Sequence, residues 1–499
     1  MNFSIQARDD AAVDVLVAGG GPAGCAAAIA ARRRGLSVLL VEATSALGGT
    51  ATGGQVAHWL GGRSPGGRWV VGGIFRELAE GAVADGCALL PSMPEGKTYQ
   101  PYAWLPWFIH GVPLDPCRLV PFLERKLAAE GVPFRYETRV VGVESVPSAS
   151  CLVPGAELKH KDLRASNALS TKHQAPSTFI KRVFTHSKEG FAAHPVRCVI
   201  DATGDADVAA LAGCPVHVGR AGDHLTTPAS LTFHLSHVDH AVLQEIIEKT
   251  RSPKFRELIA SLRSTGEWPF PYDIFISVKG LADDEAMINT IRLVGVDGLD
   301  ADSRTRAYVD GRREALQLLD IFRRHFPGFA QARIKSIAPL LGVRETRRIA
   351  GAFTLGVADL AAGTEFPDTI GFSMYGWDLP DPKRPSVQPL VDESSGGFVN
   401  KAKKGLATPI PFRVMVPQGC ANLLCPGRAI SVERDVLGPL RVMAPCMAMG
   451  EACGVAAEQV VAGTANAQVD VARVRDVLRA NGCIVDAAAL PPIEPRVDP

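Results

Sequence analysis

Three glycines in GxGxxG spacing, Gly19, Gly21 and Gly24, open the stretch of this sequence best suited to chemistry, within a GGGPAG run that also holds Pro22 and Ala23. Without Cβ atoms the chain can turn sharply, let a pyrophosphate approach its backbone, and pack a helix tightly on a strand. A helix starting there adds free amides and the positive end of its dipole. Further on, Glu42 offers a carboxylate able to accept hydrogen bonds from both hydroxyls of an adenosine ribose. An acid there, with no arginine just beyond it, favours an unphosphorylated ribose, hence FAD or NAD over NADP.

The flanking pattern supplies the elements that must position these groups. VDVLVA is a short apolar, β-branched run that reads as a strand, the alanine-rich CAAAIAARRRG reads as a helix, and Gly35 suits the end of that helix. LSVLLVE then gives a second buried strand finishing at Glu42. A second glycine cluster follows, with Gly48 and Gly49 next to Thr50, then Gly53 and Gly54. In this stretch the chain resembles flavoprotein oxidoreductases of the glutathione-reductase-like superfamily, where an acid followed by a glycine pair carries the chain past the FAD pyrophosphate and ribityl. That resemblance implies FAD as the cofactor.

Three later segments extend the resemblance over most of the chain, to the FAD-dependent oxidoreductases whose members also resemble heterodisulfide-reductase flavin subunits and fumarate-reductase-like enzymes. CVIDATGDADVAALAG ends a strand at Val199 and Ile200, and its Ala202, Thr203, Gly204 and Asp205 resemble the loop returning to the cofactor. LGVRETRRIAG resembles the arginine-rich segment. The run from NLLCPGRAIS to CMAMGEACGVAAEQVV resembles the closing strand and flavin-facing helix. A helix beginning near Pro445 would aim its positive end at the flavin pyrimidine edge. Many relatives end the closing strand with glycine-aspartate, whereas Gly427 is followed here by Arg428. The strand-like FRYETRVVGVE, 134–144, is expected to set backbone near Val140 against the adenine.

A flavin performs the hydride transfer, so the protein has to position a substrate carbon and supply a base or an electrostatic clamp. His58, after the second glycine cluster, is a candidate base, substrate contact or covalent flavin tether, and equally a histidine that is merely hydrogen-bonded. Arg344 and Arg348 could hold an anionic substrate or stabilise the reduced flavin; ion pairing between domains is the alternative, and Arg441 faces the same choice. By their position in the family pattern Tyr375, Asp378 and Arg413 could reach the pocket. A family-style histidine after Asp378 is replaced by Leu379. Cys425 and Cys446 flank the expected flavin site, but their spacing argues against a catalytic dithiol. YAWLPWFIH, 102–110, suits aromatic core packing better than a substrate entrance.

The expected fold class is α/β: a Rossmann-type FAD-binding domain with a parallel sheet, split by an inserted α+β substrate domain. The FAD-binding parts are 1–146, 178–224 and 409–465; 147–177 reads as an exposed insertion, 225–408 as the substrate or cap domain, and 466–499 as a terminal helix and tail. Charges nearly cancel at 53 basic against 52 acidic residues, so no global field favours nucleic acid or a membrane surface. The 11 cysteines show neither zinc-ribbon nor cluster spacing, and no apolar run is long enough to span a bilayer. These features predict a cytoplasmic protein without a metal, and the family resemblance implies an enzyme that uses FAD. It would oxidise or desaturate a small organic molecule by hydride transfer and pass electrons to oxygen or another acceptor; a homo-oligomer is compatible. Two rivals remain open: a thiazole-synthase-like protein using the dinucleotide as structure or reactant, and an electron-transfer component docking to a protein partner.

Overall fold

The computed structural model describes residues 6–92, 111–148, 178–387 and 407–492. After a two-residue strand, Arg8–Asp9, strand β1 (Val13–Ala18) leads to helix α1 (Pro22–Arg33) and then to β2 (Val38–Val41). Four more strands follow: β3 (Phe134–Arg135), β4 (Arg139–Pro147), β5 (Thr178–Ser187) and β6 (Gly190–Asp201). Next come β7 (Phe233–Ser236), β8 (Ser277–Lys279), β9 (Ala286–Ile288), the long helix α2 (Ala301–His325) and β10 (Arg333–Ile337). The chain closes with β11 (Leu423–Leu424), helix α3 (Met443–Val461) and helix α4 (Val471–Ala480).

Parallel pairing sets β3, β2, β1, β6 and β11 side by side. Strand β6 is long enough to serve two ladders. Its last residues pair with β1 and β11, while its first half runs antiparallel to β5, which pairs in turn with β4. The central parallel segments Val15–Ala18 and Val38–Val41 are buried on both faces, which is why they read as the apolar runs VLVA and VLLV.

Helices α1 and α3 pack across one face of this sheet almost without side chains between them. A Cβ on Gly450 would lie 2.1 Å from the Ala23 carbonyl oxygen, and one on Gly454 would lie 2.4 Å from that of Ala27. The two contacts climb both helices together, so the helices are parallel. Helix α3 therefore projects past the start of α1 by its first six residues, about 9 Å at 1.5 Å per residue.

The 134–144 segment is not one strand. It divides into β3 on the parallel sheet and β4 on the antiparallel one, with Glu137 between them at φ +50°. The amides of Glu137 and Thr138 donate to the carbonyls of Thr44 and Glu42 at the break, anchoring it beside the end of β2. Helix α3 begins two residues ahead of Pro445, at Met443.

A second hydrophobic core lies within residues 229–343, where β8, β9, β7 and β10 form an antiparallel sheet. Its interior is aromatic: Trp268, Tyr272, Phe275, Phe322, Phe326 and Phe329 pack edge-on and stacked around one another. The sheet docks on the second glycine loop. His234 Nε2 contacts the Gln55 carbonyl at 3.0 Å, the Ser336 hydroxyl donates to Gln55 Oε1 at 2.9 Å, and the Leu340 amide donates to the Gly53 carbonyl at 3.0 Å. Most of the expected 147–177 insertion and all of the 102–110 aromatic run lie outside the described residues. No helix among the described residues is long and apolar enough to cross a membrane.

Candidate functional site

Each of the three fingerprint glycines does a separate job. Gly19 turns at φ +101°, and a Cβ there would lie 2.6 Å from the Ala202 carbonyl oxygen. A Cβ on Gly24 would strike the Gly19 carbonyl oxygen at 1.8 Å, so this glycine lets α1 sit against the strand-end turn. At Gly21 the reason differs. Its Cβ would meet nothing nearer than the Gly49 Cα at 4.0 Å, so a side chain would fill open space between two glycine turns. That gap lies at the start of α1, where no side chain caps the helix and no acid occupies the first turn. It is a cradle suited to a pyrophosphate, and the residues present fit a dinucleotide.

Glu42 stands at the end of β2 with its carboxylate oriented from both sides. The Gly20 amide donates to Oε2 at 2.7 Å and the Thr44 amide to Oε1 at 2.8 Å. Each oxygen keeps a lone pair for a ribose hydroxyl. The two glycine segments are tied together by the Gly48 amide, which donates to the Gly20 carbonyl at 2.8 Å, and Thr50 follows in the same short turn. Val140 lies just after the break anchored on Glu42 and packs with the core that includes Leu39 and Val41.

From the opposite side come Ala202, Thr203, Gly204 and Asp205, together with Gly427 and Arg428. A Cβ on Gly427 would be 3.6 Å from that of Ala23, which brings the closing strand to the first turn of α1. Arg428 lies over Gly204, where a Cβ would come within 2.9 Å of the guanidinium carbon. Its Nη2 donates to Asp205 Oδ1 at 2.6 Å, and the Thr346 hydroxyl donates to the same oxygen at 2.6 Å. Burial opposes ionisation of Asp205, but the charge of Arg428 and these hydrogen bonds outweigh it and hold the carboxyl below the usual range. The aspartate that many relatives carry beside the closing glycine is thus replaced by an arginine, and the carboxylate at this point comes from the 202–205 loop.

The arginine-rich segment divides. Arg348 Nη1 donates to Glu345 Oε1 at 2.7 Å and Nη2 to the Gly219 carbonyl, while Arg434 reaches Glu345 Oε2 at 3.1 Å and the Thr227 hydroxyl at 2.7 Å. This is a buried, neutralised seam. Arg344 turns elsewhere, donating to the Pro228 carbonyl and sharing an electrostatic cluster with Arg292, Arg441, Asp378 and Tyr375. In that cluster Arg441 Nη2 donates to the backbone oxygen of Asp378 at 2.8 Å and to Oδ2 at 3.2 Å, and the Tyr375 hydroxyl donates to Oδ2 at 3.0 Å. Burial opposes ionisation of Asp378 too, yet Arg441, Arg344 and Arg292 together hold it below the usual carboxylate range.

The cluster sits at the projecting end of α3: a Cβ on Gly438, five residues before that helix, would be 3.2 Å from the Asp378 amide nitrogen. Gly61, near the end of the second glycine run, packs on Val442 and Pro445 at the same end. His58, three residues earlier, is buried in the two-residue strand His58–Trp59, and its Nε2 has no partner among the described residues. Burial lowers its pKa to about 3, so it is neutral at pH 7. Arg413 is not brought to this cluster. Asp368 holds it through Nε at 2.9 Å and Nη2 at 3.1 Å, and its guanidinium lies over Phe353. Cys425 and Cys446 are both buried; burial raises each thiol, that of Cys446 to about 12, which leaves neither a ready thiolate.

Arg292 is the site residue that sequence reading missed. Its one signal is a charge set inside the apolar run Ile291, Leu293, Val294. The partner of Arg348 was equally overlooked, although Glu345 lies three residues before it.

Comparison with known proteins gives one family match: a model described as FAD dependent oxidoreductase covers residues 14–478. No curated protein matches. Among solved structures, the chain is similar to a flavin-dependent brominase (TM-score 0.42, 14% identity, 94% of this chain and 84% of that one). It is also similar to a geranylgeranyl bacteriochlorophyll reductase-like protein from Thermoplasma acidophilum (TM-score 0.41, 12% identity, 95% and 84%). A third similar structure is p-nitrophenol 4-monooxygenase from Pseudomonas putida (TM-score 0.34, 13% identity, 68% and 70%).

Proposed function

This chain belongs to the FAD dependent oxidoreductase family, and from that premise we propose that it oxidises or desaturates a small organic molecule by hydride transfer, passing electrons on to oxygen or another acceptor. The observation that carries this reading is convergence. Four segments far apart in sequence, 19–24, 48–50, 202–205 and 427–428, meet at the start of α1, and α3 extends beyond that point toward Asp378 and Arg441. We take the aromatic-cored unit, 225–408, as the substrate domain, because ligand pockets commonly form where two domains meet. The parallel sheet with its antiparallel side ladder and closing helix supports the finer kinship with glutathione-reductase-like flavoproteins.

When bound, FAD supplies the hydride acceptor. The protein does the rest by placement. Glu42 would accept from the ribose and the Gly21–Gly49 gap would admit the pyrophosphate, while the Asp205–Arg428 pair fixes the 202–205 loop against the closing strand. The start of α3 presents the positive end of a helix dipole toward the reacting end of the proposed cofactor site. His58 stays neutral at physiological pH. With its pKa far below the working pH it is a poor general base, and it serves better as a neutral contact that shapes the site.

The test is the absorbance spectrum of the purified protein before and after denaturation, followed by anaerobic mixing with candidate small molecules. Flavin bands released on denaturation and bleached by one compound are expected. A protein that holds flavin but is reduced only by a partner protein overturns the small-molecule reading in favour of an electron-transfer role.

A further inference from the structure

Three guanidinium groups act on one carboxylate, that of Asp378, at the projecting end of α3; of the three, Arg441 donates to it directly. Arg292 is 6% exposed, places Nη1 on the carbonyls of Asn289 and Ile291 at 2.8 and 2.9 Å, and has an Nε with no partner among the described residues. Arg344 donates to the Pro228 carbonyl and, like Arg292, forms no ion pair among the described residues. A buried cation without a counterion is costly, and a protein interior usually neutralises it. This chain does so four residues away, where Glu345 satisfies Arg348 and Arg434.

We propose that Arg292, Arg344 and Arg441 form the binding site for an acidic group on the substrate, a carboxylate or similar planar oxyanion. This names the class of molecule for the small-molecule FAD enzyme argued above and rests on that reading. Arg292 and Arg344 belong to the proposed substrate domain, while Arg441 precedes the closing helix of the FAD-binding domain. An anion held by all three therefore bridges the seam beside the reacting end of the proposed cofactor site. Guanidinium forks match a carboxylate in bidentate geometry, which a lysine point charge does not. Burial and the like charges of Arg292 and Arg441 depress Arg344 well below its ordinary value, and a bound anion relieves that strain. Negative charge on the reduced flavin ring is the other source of the same chemistry, and the experiment separates the two.

The flavin-loaded protein is titrated with acetate, malonate and benzoate and with the corresponding amides, following the flavin absorbance band and Tm. At least one carboxylate is expected to perturb the band and raise Tm saturably while its amide does neither. Arg344→Met and Arg292→Met, at unchanged flavin content, should weaken that carboxylate at least about tenfold, the loss of one charge-assisted pair. Arg344→Lys and Arg292→Lys should fall between, and they carry the test if a methionine variant fails to fold. The proposal is overturned if no carboxylate has an effect, or if the variants bind it as the parent does. It is also overturned if they shift the flavin reduction potential while leaving carboxylate binding intact, which assigns the cations to the ring. Carboxylate binding lost in these variants, in a protein that no small molecule reduces, would end the functional reading and leave the anion site. Reduction by an uncharged compound, unaffected by Arg344→Met, would do the reverse.

Discussion

Arg344, in a loop, and Arg348, in the short strand Arg347–Ile349, stand four residues apart and occupy different electrostatic settings. Around Arg348 every strong charge has a partner: Glu345 accepts from Arg348 and Arg434, and Thr227 donates its amide and hydroxyl to the same carboxylate. Around Arg344 three cations face one carboxylate among the described residues, that of Asp378; Arg292 and Arg441 each keep an Nε without a partner there, as Arg348 also does in the first region. The first region holds the two units together. The second keeps unspent hydrogen-bonding capacity at the point where a substrate would enter. Two arginines that look interchangeable in a sequence motif are thus divided by a third residue, Glu345, into a structural and a ligand-directed role.

The comparison breaks most visibly at Glu345. Replacing it with alanine removes the buried carboxylate that Arg348 and Arg434 share and leaves only the half-exposed Asp435, 3.8 Å from Arg434, a loss of about 3–5 kcal/mol for a buried pair deprived of one member. Urea or thermal unfolding of Glu345→Ala should show that drop in stability, and an unchanged midpoint would remove the structural role assigned to the seam. Arg428→Met comes next. Asp205 and Arg428 each retain about a fifth of their side-chain exposure, so solvent compensates part of the loss, and about 1–3 kcal/mol is expected. Because Arg428 lies over Gly204 beside the proposed cofactor site, flavin should also wash out faster on a desalting column. Normal flavin retention would confine Arg428 to a stabilising role.

What the sequence made legible in these regions follows from how local each signal is. The glycine turn, β1, α1, β2 and Glu42 lie within thirty residues, and each leaves its own mark: missing Cβ atoms, β-branched runs, an acid at a strand end. The arginine sites are assembled over long separations. Arg413 is 45 residues from Asp368, its bidentate partner, so position in a family pattern could not reveal that it is spoken for. Arg292 reaches the cluster from the far side of the second core, and a single charge in an apolar run carries no spacing to read. The split of 134–144 was hidden for the same reason, since its break is fixed by the carbonyls of Glu42 and Thr44 about ninety residues upstream. Local chemistry is written locally, whereas charge balance is settled by which elements the topology brings together.

His58 extends the contrast to a titrating group. Its folded-state pKa of about 3 lies below the 6.5 of a free histidine because burial disfavours the charged ring. As pH falls through 6.5 the unfolded chain binds a proton that the folded chain refuses, so the stability present above pH 6.5 is lost progressively toward pH 3. One pH unit below 6.5 that loss is about 1.4 kcal/mol. His58→Leu removes it while leaving every other titration in place. The stability difference between parent and variant should therefore grow in favour of the variant between pH 7 and pH 5; a constant difference would mean that His58 protonates without penalty in the folded protein.

The smallest expected effect is the sharpest test of the two-region comparison. Arg344→Met removes a buried charge that has no carboxylate bonded to it among the described residues and gives up its hydrogen bond to the Pro228 carbonyl. The desolvation cost relieved and the bond lost are of similar size, so stability should stay within about 1 kcal/mol of the parent, or rise. Arg348→Met, four residues along, should instead fall by several kcal/mol because Glu345 loses a neutralising partner. Unfolding the two variants side by side under one set of conditions decides the matter. If Arg344→Met destabilises as much as Arg348→Met, both arginines are structural, and the uneven charge at the start of α3 is a feature of packing with no ligand behind it.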